Sequence, residues 1–259
     1  MRAGGATPRK PKGLDGTWGI IARMEPAPLV LASASPRRRR LFAWLEAPYE
    51  CVATDTDEDL DSPLRGVPPV LARALAAEKA RSARARVSAD ARAGANASTG
   101  EATASQPVIL AFDTLVMVDG TVLGKPSDRT DAERMLRSLS GRTHAVVTGV
   151  ALLGPEDEDP RTFAVTTPVT MRELDEATIQ GWLDGDEVLG CAGAYNIERH
   201  LASVDEGECY QNVAGIPLCH VYERLARIGV AGTTPFLACE AARGVTCPLG
   251  RKLCRTTGA

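Results

Sequence analysis

The segment from Leu29 to Arg40 restricts the fold more than any other, because a short apolar run is followed at once by a helix start. Leu29–Ala32 is long enough for a buried strand. Ser35 stands where a helix N-cap is expected, and Pro36 takes the first helical position, where a missing N–H costs nothing. The segment therefore predicts a strand, a tight turn and a helix in immediate succession.

The same turn carries a concentration of positive charge. Four consecutive arginines, Arg37 to Arg40, follow the hydroxyls of Ser33 and Ser35. A basic run alone more often marks a solvated surface, and four successive helical residues point in four directions, so only one or two can meet a ligand. Its position at a helix start, where free N–H groups favour an anion, indicates a polyphosphate site instead. The segment matches neither a P-loop nor a dinucleotide fingerprint.

Length, charge and cysteine usage narrow the class of protein. The chain has 259 residues, a hydrophobic content of 44% and a net charge of −3, so we expect one domain that binds neither nucleic acid nor a membrane surface. No apolar stretch approaches the roughly 20 residues of a membrane span, and no hydrophobic region follows the basic N-terminus. Seven cysteines without regular spacing favour reduced thiols over a disulfide framework. We therefore expect a cytoplasmic protein.

Composition also predicts how the chain is divided. Residues 1–27 form an expected flexible extension, and 28–230 form the folded body. Within that body, residues 88–106 are rich in small residues without periodicity, so we expect a flexible insertion. The C-terminal segment 231–259 contains Cys239, Cys247 and Cys254. Their spacing lacks a short C-x-x-C pair, which favours free thiols in a flexible tail over a structural metal site.

Acidic residues supply the candidates for catalysis and metal binding. Asp113 interrupts the apolar run from Val108 to Val118, where a carboxylate is costly unless it is paired or functional. It is the best candidate for a general base. The acidic segment from Thr54 to Asp59, which includes Asp57, suits either a solvated loop or a divalent cation site.

Strand-like and helix-like segments alternate along the chain, which predicts an α/β fold with one mixed sheet. Besides the first strand and helix and the strand that carries Asp113, the remaining predicted strands are 48–52, 143–153 and 161–171, and the remaining predicted helices are 68–86, 130–139, 175–183 and 217–228.

A series of short motifs then occurs in one order along the chain. These motifs are Ser33-x-Ser35-Pro36-Arg37-Arg38, Asp113-Thr114, Gly124-Lys125-Pro126, Ser140-Gly141-Arg142-Thr143-His144 and Ala192-Gly193-Ala194-Tyr195. Together they resemble the Maf-type nucleotide pyrophosphatases, also described as septum-formation inhibitor proteins, over about residues 29–230. The resemblance implies an elongated mixed sheet with flanking helices and a deep cleft between two lobes. It also implies a nucleoside triphosphate substrate, cleavage to monophosphate and pyrophosphate with Mg²⁺ or Mn²⁺, and a possible homodimer.

The resemblance also assigns roles to individual residues. Asp113 matches the proton acceptor of the family, and Asp57, where the family usually has glutamate, is with Asp113 a candidate metal ligand. The other matched residues bind substrate: Ser33, Lys79 and Lys125 at polar positions of the cleft, and Arg37, Thr114 and Glu198 at positions of substrate selectivity. Cys191 replaces a lysine of the dTTP/UTP branch, Glu198 replaces its glutamine, and Arg199 replaces its glycine.

The expected base preference depends on Glu198. An ionised carboxylate offers only acceptors, which suits the two neighbouring donors of guanine and would repel the carbonyls of uracil and thymine. This favours a house-cleaning enzyme acting on a modified guanine nucleotide, such as 7-methyl-GTP. Ala194-Tyr195 instead resembles the dTTP/UTP branch, and Glu198 has an alternative partner in Arg199 or another arginine. A non-catalytic nucleotide-binding regulator of division is a further alternative, against which Asp113 and Lys125 argue.

Overall fold

The computed structural model describes residues 28–54, 56, 62–95, 106–185, 188–230 and 232–255, and these form one mixed sheet flanked by helices. The strands in this part of the chain are β1 (Leu29–Ala32), β2 (Tyr49–Val52), β3 (Val108–Val118), β4 (Thr121–Leu123), β5 (Thr143–Leu153), β6 (Arg161–Met171) and β7 (Ala202–Ser203). Their order in the sheet is β2-β1-β3-β5-β6-β7, with β4 paired to β3. β1 runs parallel to β2 and β3, and the other pairs are antiparallel. The predicted mixed α/β fold is confirmed.

Helices pack on both faces of this sheet. They are α1 (Pro36–Phe42), α2 (Pro68–Ala95), α3 (Arg129–Leu139), α4 (Glu176–Leu183), α5 (Tyr210–Val213), α6 (Leu218–Arg227), α7 (Pro235–Arg243) and α8 (Pro248–Arg255), joined by short 3₁₀ turns. Ser35 and Asp175 cap α1 and α4 as predicted. α3 begins at Arg129, one residue before the predicted start, because the carboxylate of Asp128 accepts from the N–H of Asp131 at 2.8 Å and supplies the cap.

Composition predicted two flexible segments, and both predictions are wrong where the structure describes those segments. α2 extends to Ala95, so residues 88–95 continue the helix, which follows from the high helix propensity of alanine and arginine. Residues 96–105 lie outside the described residues. The expected tail forms α7 and α8, and Cys239, Cys247 and Cys254 are all buried. Their thiols pack like small apolar groups, which stabilises this helical pair.

α2 lies unusually close to the sheet. Its buried residues include the small Ala72, Ala76 and Ala80, which pack on the β3 and β5 face. At Gly149 of β5, a Cβ atom would lie only 2.0 Å from the carbonyl oxygen of Ala72. Glycine is therefore required at this position. None of the described helices is both long and apolar enough to cross a membrane.

We expect Gly149→Ala to destabilise the protein by about 1–3 kcal/mol or more, or to prevent folding, because the added methyl group displaces the α2 main chain. The matched control is Gly181→Ala in α4, where a Cβ meets no atom within 4 Å. That change is expected to be neutral or stabilising by up to about 1 kcal/mol. Urea unfolding of both variants is the measurement, and equal free energies of unfolding would contradict the close approach.

Candidate active site

A cavity of about 660 Å³ opens at the carboxyl end of β1 and beside the middle of β3. Cavities of this size take ligands as large as a nucleotide. Its polar lining residues are Ser33, Ser35, Arg37, Arg38, Thr54, Thr56, Lys79, Asp113, Thr114, Lys125 and Tyr195. The cleft therefore combines hydroxyl, cationic and carboxylate side chains.

The β1–α1 turn forms one wall of the cleft. The side chain of Ser33 is buried, and its hydroxyl accepts from the N–H of Ser35 at 3.2 Å. Arg37 and Arg38 line the cavity, whereas Arg40 extends to a different partner on the outside. Of the four arginines, Arg37 and Arg38 are therefore the ones that line the cavity.

Arg38 ties three parts of the protein together. Its guanidinium donates to the carbonyl of Gly215 at 2.8 Å, to the carbonyl of Phe112 at 3.0 Å and to the hydroxyl of Thr114 at 2.9 Å. Gly215 has a φ of +97°, so a side chain there would be strained. The sequence motif included Arg38, but only the fold shows that it joins α1, β3 and the turn after α5.

Arg37 is held from the opposite wall. Its Nε donates to the carbonyl of Ala214 at 3.0 Å, and one terminal nitrogen donates to the Sγ of Cys191 at 3.4 Å. Cys191 is buried, so the thiol occupies the space beside the guanidinium. These two contacts hold Arg37 at the cleft.

The central feature of the site is a buried ion pair. Lys79 of α2 donates to Oδ1 of Asp113 on β3 at 2.5 Å, and the two side chains are 10% and 3% exposed. Asp113 lies directly opposite Gly149 in the β3–β5 register. Because opposed residues share one face of a sheet, the missing side chain of Gly149 lets α2 approach the face that carries Asp113. Sequence reasoning could not find this pairing, since a lysine on a helix is usually solvated.

The second carboxylate oxygen of Asp113 has unused hydrogen-bonding capacity. Oδ2 is buried and has no hydrogen-bond partner among the described residues. Thr56, whose hydroxyl likewise lacks a partner within the described ranges, also lines the cleft. A carboxylate oxygen accepts up to two bonds, so Oδ2 can receive a water, a cation or both.

The fit of the site to a divalent cation follows from this oxygen. The described residues contain no group of three or more histidine, cysteine or acidic side chains that could hold a metal. Mg²⁺ is commonly bound by one or two carboxylates together with substrate phosphates and waters, so the single oxygen of Asp113 fits that mode. Asp57, the other predicted ligand, lies outside the described residues.

Below the cleft lies a polar network that sequence reasoning missed. The hydroxyls of Thr114 and Thr148 are 3.0 Å apart, and Thr148 donates to the carbonyl of Asn212 at 3.1 Å. The amide nitrogen of Asn212 contacts the carbonyls of Val146 and Val165, each at 3.1 Å. Thr148 and Asn212 are completely buried. The only sequence signal was a threonine within an apolar strand.

The predicted site residues separate into two groups. The structure brings Ser33, Arg37, Lys79, Asp113, Thr114 and Lys125 to one cleft. Glu198 is not among the lining residues. Both of its carboxylate oxygens accept from Arg40 at 2.6 Å, so the alternative arginine partner is observed, and the contact of Glu198 with the base stays a prediction.

A buried histidine supports the cleft residue Tyr195. His144 is hydrogen-bonded to the Tyr195 hydroxyl at 2.7 Å, and burial lowers the pKa of His144 to about 4. Between pH 6.5 and 4 the unfolded chain therefore binds a proton that the native state does not. The free energy of unfolding falls as the pH falls through this range, by about 3 kcal/mol in total from this group.

We expect His144→Gln, which can still bond Tyr195, to lose this part of the pH dependence. The matched control is His200→Asn, because His200 is exposed and has a φ of +60° that asparagine tolerates. Urea unfolding at intervals from pH 7 to pH 4 measures both. An unchanged slope in His144→Gln would contradict the assignment.

Comparison with known proteins adds to this geometry. The model of the Maf-like protein family matches residues 28–228. A dTTP/UTP pyrophosphatase of Ruminiclostridium cellulolyticum is 34% identical over 202 residues, which cover 77% of this chain and 95% of that protein. A dTTP/UTP pyrophosphatase of Moorella thermoacetica is 42% identical over 207 residues, covering 78% of this chain and 95% of the relative.

Proposed function

The chain belongs to the Maf-like protein family, and we propose that its cleft hydrolyses dTTP and UTP to the nucleoside monophosphate and pyrophosphate. The observation that carries the chemistry is the buried Asp113 at the cleft, with one oxygen held by Lys79 and the other unpaired among the described residues, beside cationic and hydroxyl groups. The activity named for the relatives supports the choice of substrate.

Positive charge in the cleft is suited to a triphosphate. The hydroxyl of Ser33 and the side chains of Arg37 and Lys125 lie along the same cavity as Asp113. When the bond between the α and β phosphates breaks, negative charge accumulates on the departing pyrophosphate. Cations held in place before the reaction stabilise that charge more effectively than mobile solvent does.

Asp113 is assigned the role of general base. Its Oδ1 is fixed by Lys79, so the position of its unpaired Oδ2 is fixed as well. A water held at Oδ2 gives its proton to the carboxylate as its oxygen bonds to phosphorus. The bond from that phosphorus to the bridging oxygen breaks, and pyrophosphate and the monophosphate separate.

A divalent cation would be held by Asp113 together with phosphate oxygens, and Asp57 is the further candidate ligand. When bound, Mg²⁺ or Mn²⁺ supplies additional neutralisation of the phosphate charge. The two lone pairs of Oδ2 allow it to contact the cation and still orient the water.

The pyrimidine preference rests on two observations. Curated relatives that align over about 95% of their length are named dTTP/UTP pyrophosphatases. In addition, the argument for a guanine nucleotide required Glu198 at the base, and that carboxylate is paired with Arg40 outside the lining of the cleft. We therefore favour UTP and dTTP over 7-methyl-GTP.

We expect Asp113→Asn to lower kcat/KM for UTP by about 10²- to 10⁴-fold, because the general base is lost. The structure also predicts a loss of about 3–5 kcal/mol in stability, since the substitution breaks the buried ion pair between Lys79 and Asp113. The double variant Lys79→Met with Asp113→Asn is expected to recover stability but not activity. Pyrophosphate release and urea unfolding measure the two effects.

The matched control for Asp113→Asn is Asp159→Asn, an exposed carboxylate whose side chain is 80% accessible. It is expected to retain both stability and activity. Turnover by Asp113→Asn close to that of this control would remove Asp113 from the reaction.

We expect the unmodified enzyme to show kcat/KM at least about tenfold higher for UTP and dTTP than for GTP and 7-methyl-GTP, which corresponds to about 1.4 kcal/mol. Glu198→Gln is expected to leave this ratio unchanged within about twofold, because an exposed ion pair contributes little. Preference for 7-methyl-GTP that disappears in Glu198→Gln would restore the guanine hypothesis. Absence of turnover with every triphosphate would favour a non-catalytic regulator.

A further inference from the structure

The C-terminal helices α7 and α8 lie beyond residues 28–228, which the family model matches. None of the described residues that line the cleft comes from either helix. The segment that carries them nevertheless contacts two elements of the cleft walls, at the end of α1 and at the start of α5. A part of the chain outside the family core therefore joins both walls from the outer side.

The first of these contacts is made just after α1. The N–H of Thr233 donates to the carbonyl of Leu45 at 2.7 Å, and its hydroxyl donates to Glu46 at 2.5 Å. At Gly232, a Cβ atom would lie only 1.8 Å from the same carbonyl, so any other residue would clash there. Leu45 ends the 3₁₀ turn that directly follows α1. The segment before α7 is therefore fixed to the helix that carries Arg37.

The second contact is made on the first two residues of α5. The guanidinium of Arg243, the last residue of α7, lies over the ring of Tyr210 at 4.1 Å from its centroid. This distance is within the range of a cation–π interaction. The side-chain amide of Gln211 donates to the sulfur of Cys239 at 3.5 Å, and both side chains are buried. α7 therefore holds α5 at two successive positions.

α5 is followed directly by the carbonyls that hold two arginines of the cleft. Ala214 accepts from Nε of Arg37 at 3.0 Å, and Gly215 accepts from Nε of Arg38 at 2.8 Å. α5 has only four residues, so its own helical hydrogen bonds stabilise it little. Asn212 fixes its inner side, and α7 supplies contacts on its outer side. The positions of both carbonyls therefore depend in part on α7.

Tyr210 also connects α7 to the turn beside Tyr195. Its hydroxyl donates to the carbonyl of Ile197 at 3.2 Å, two residues after the cleft residue Tyr195. One aromatic side chain thus touches α7 with its ring and this turn with its hydroxyl. Tyr210→Phe separates the two contacts, because it keeps the ring and removes the hydroxyl.

We propose that α7 is a brace that positions Arg37 for the triphosphate, and that Arg243 is its positioning residue. The proposal rests on the proposed function, because it takes Arg37 as a ligand of the phosphates. Arg243 acts through Tyr210 and the carbonyl of Ala214, without meeting the substrate. Loss of its contact lets α5 move relative to α1, so the guanidinium of Arg37 loses part of its fixed direction and binds the phosphates more weakly.

The test compares the full chain with Arg243→Ala by two measurements. Hydrogen exchange without nucleotide is expected to be about two- to fivefold faster in residues 209–215, because a cation–π contact of this size is lost. The Kd for α,β-methylene-UTP, which resists cleavage at the α–β bridge, and the KM for UTP are expected to rise by about the same factor. We expect kcat to stay within about twofold, since Asp113 and Lys79 lie outside these contacts.

The matched control is Arg255→Ala, at an exposed arginine of α8, which is expected to leave exchange, Kd and KM unchanged. Tyr210→Phe is expected to speed exchange in residues 195–199 and to raise Kd. In the background Arg37→Met, adding Arg243→Ala is expected to raise Kd no further, because two residues that act through one contact are not additive.

A lower Tm in Arg243→Ala with unchanged Kd and KM would overturn the proposal, since the contact would then serve stability alone. An undiminished effect of Arg243→Ala in the Arg37→Met background would overturn the route through Arg37. Exchange in residues 209–215 equal to that of the unmodified chain would overturn the brace itself. This last readout needs no nucleotide, so its failure is distinguishable from failure of the proposed function, which absence of UTP cleavage by the unmodified chain would show.

Discussion

The buried ion pair between Lys79 and Asp113 is the interaction on which the arrangement of the cleft depends. Two charges with side chains at most 10% exposed are costly to bury, and their close contact offsets that cost. The pair requires α2 to lie against the sheet, which the small residues of the helix and Gly149 make possible. The packing of α2 on the sheet therefore also positions the carboxylate of the candidate site.

A second set of contacts holds the opposite wall of the cleft. Arg38 spans α1, β3 and the turn after α5, and its partner Thr114 continues through Thr148 to Asn212. Each member is at least partly buried and has a partner, as buried polar groups require. This network places Arg37 and Asp113 in one cavity although they come from different elements. The cleft is thus positioned by hydrogen bonds that begin at its lining residues Arg38 and Thr114 and continue to buried Thr148 and Asn212.

The C-terminal helices, which lie beyond the residues matched by the family, also contact elements that form the cleft. The hydroxyl of Thr233 donates to Glu46, and its N–H donates to the carbonyl of Leu45, so the segment before α7 is tied to the region after α1. Gln211 of α5 contacts the sulfur of Cys239 at 3.5 Å. The chain beyond the matched residues is therefore packed on the same elements that carry the walls of the cleft.

Much of the fold was predictable from local patterns. Apolar runs identified β1, β3 and β5, the cap at Ser35 located α1, and an aspartate within an apolar strand singled out Asp113. The order of the short motifs along the chain indicated the family. These features depend on neighbours in sequence, so the chain alone contains the information. Predictions from composition were weaker: alanine and serine around residue 90 suggested flexibility, but alanine also sustains a helix, and α2 continues through them.

By itself the sequence determined the α/β class, the turn that carries Ser33 and Arg37, and the carboxylate of the site. Only the tertiary structure decided that Lys79 pairs with Asp113 and that Glu198 forms an ion pair with Arg40. It also decided that the C-terminal cysteines are buried. The physical reason is separation along the chain: Lys79 and Asp113 are 34 residues apart, and Arg40 and Glu198 are 158 apart. Such partners are chosen by the packing of whole elements, which no local pattern records.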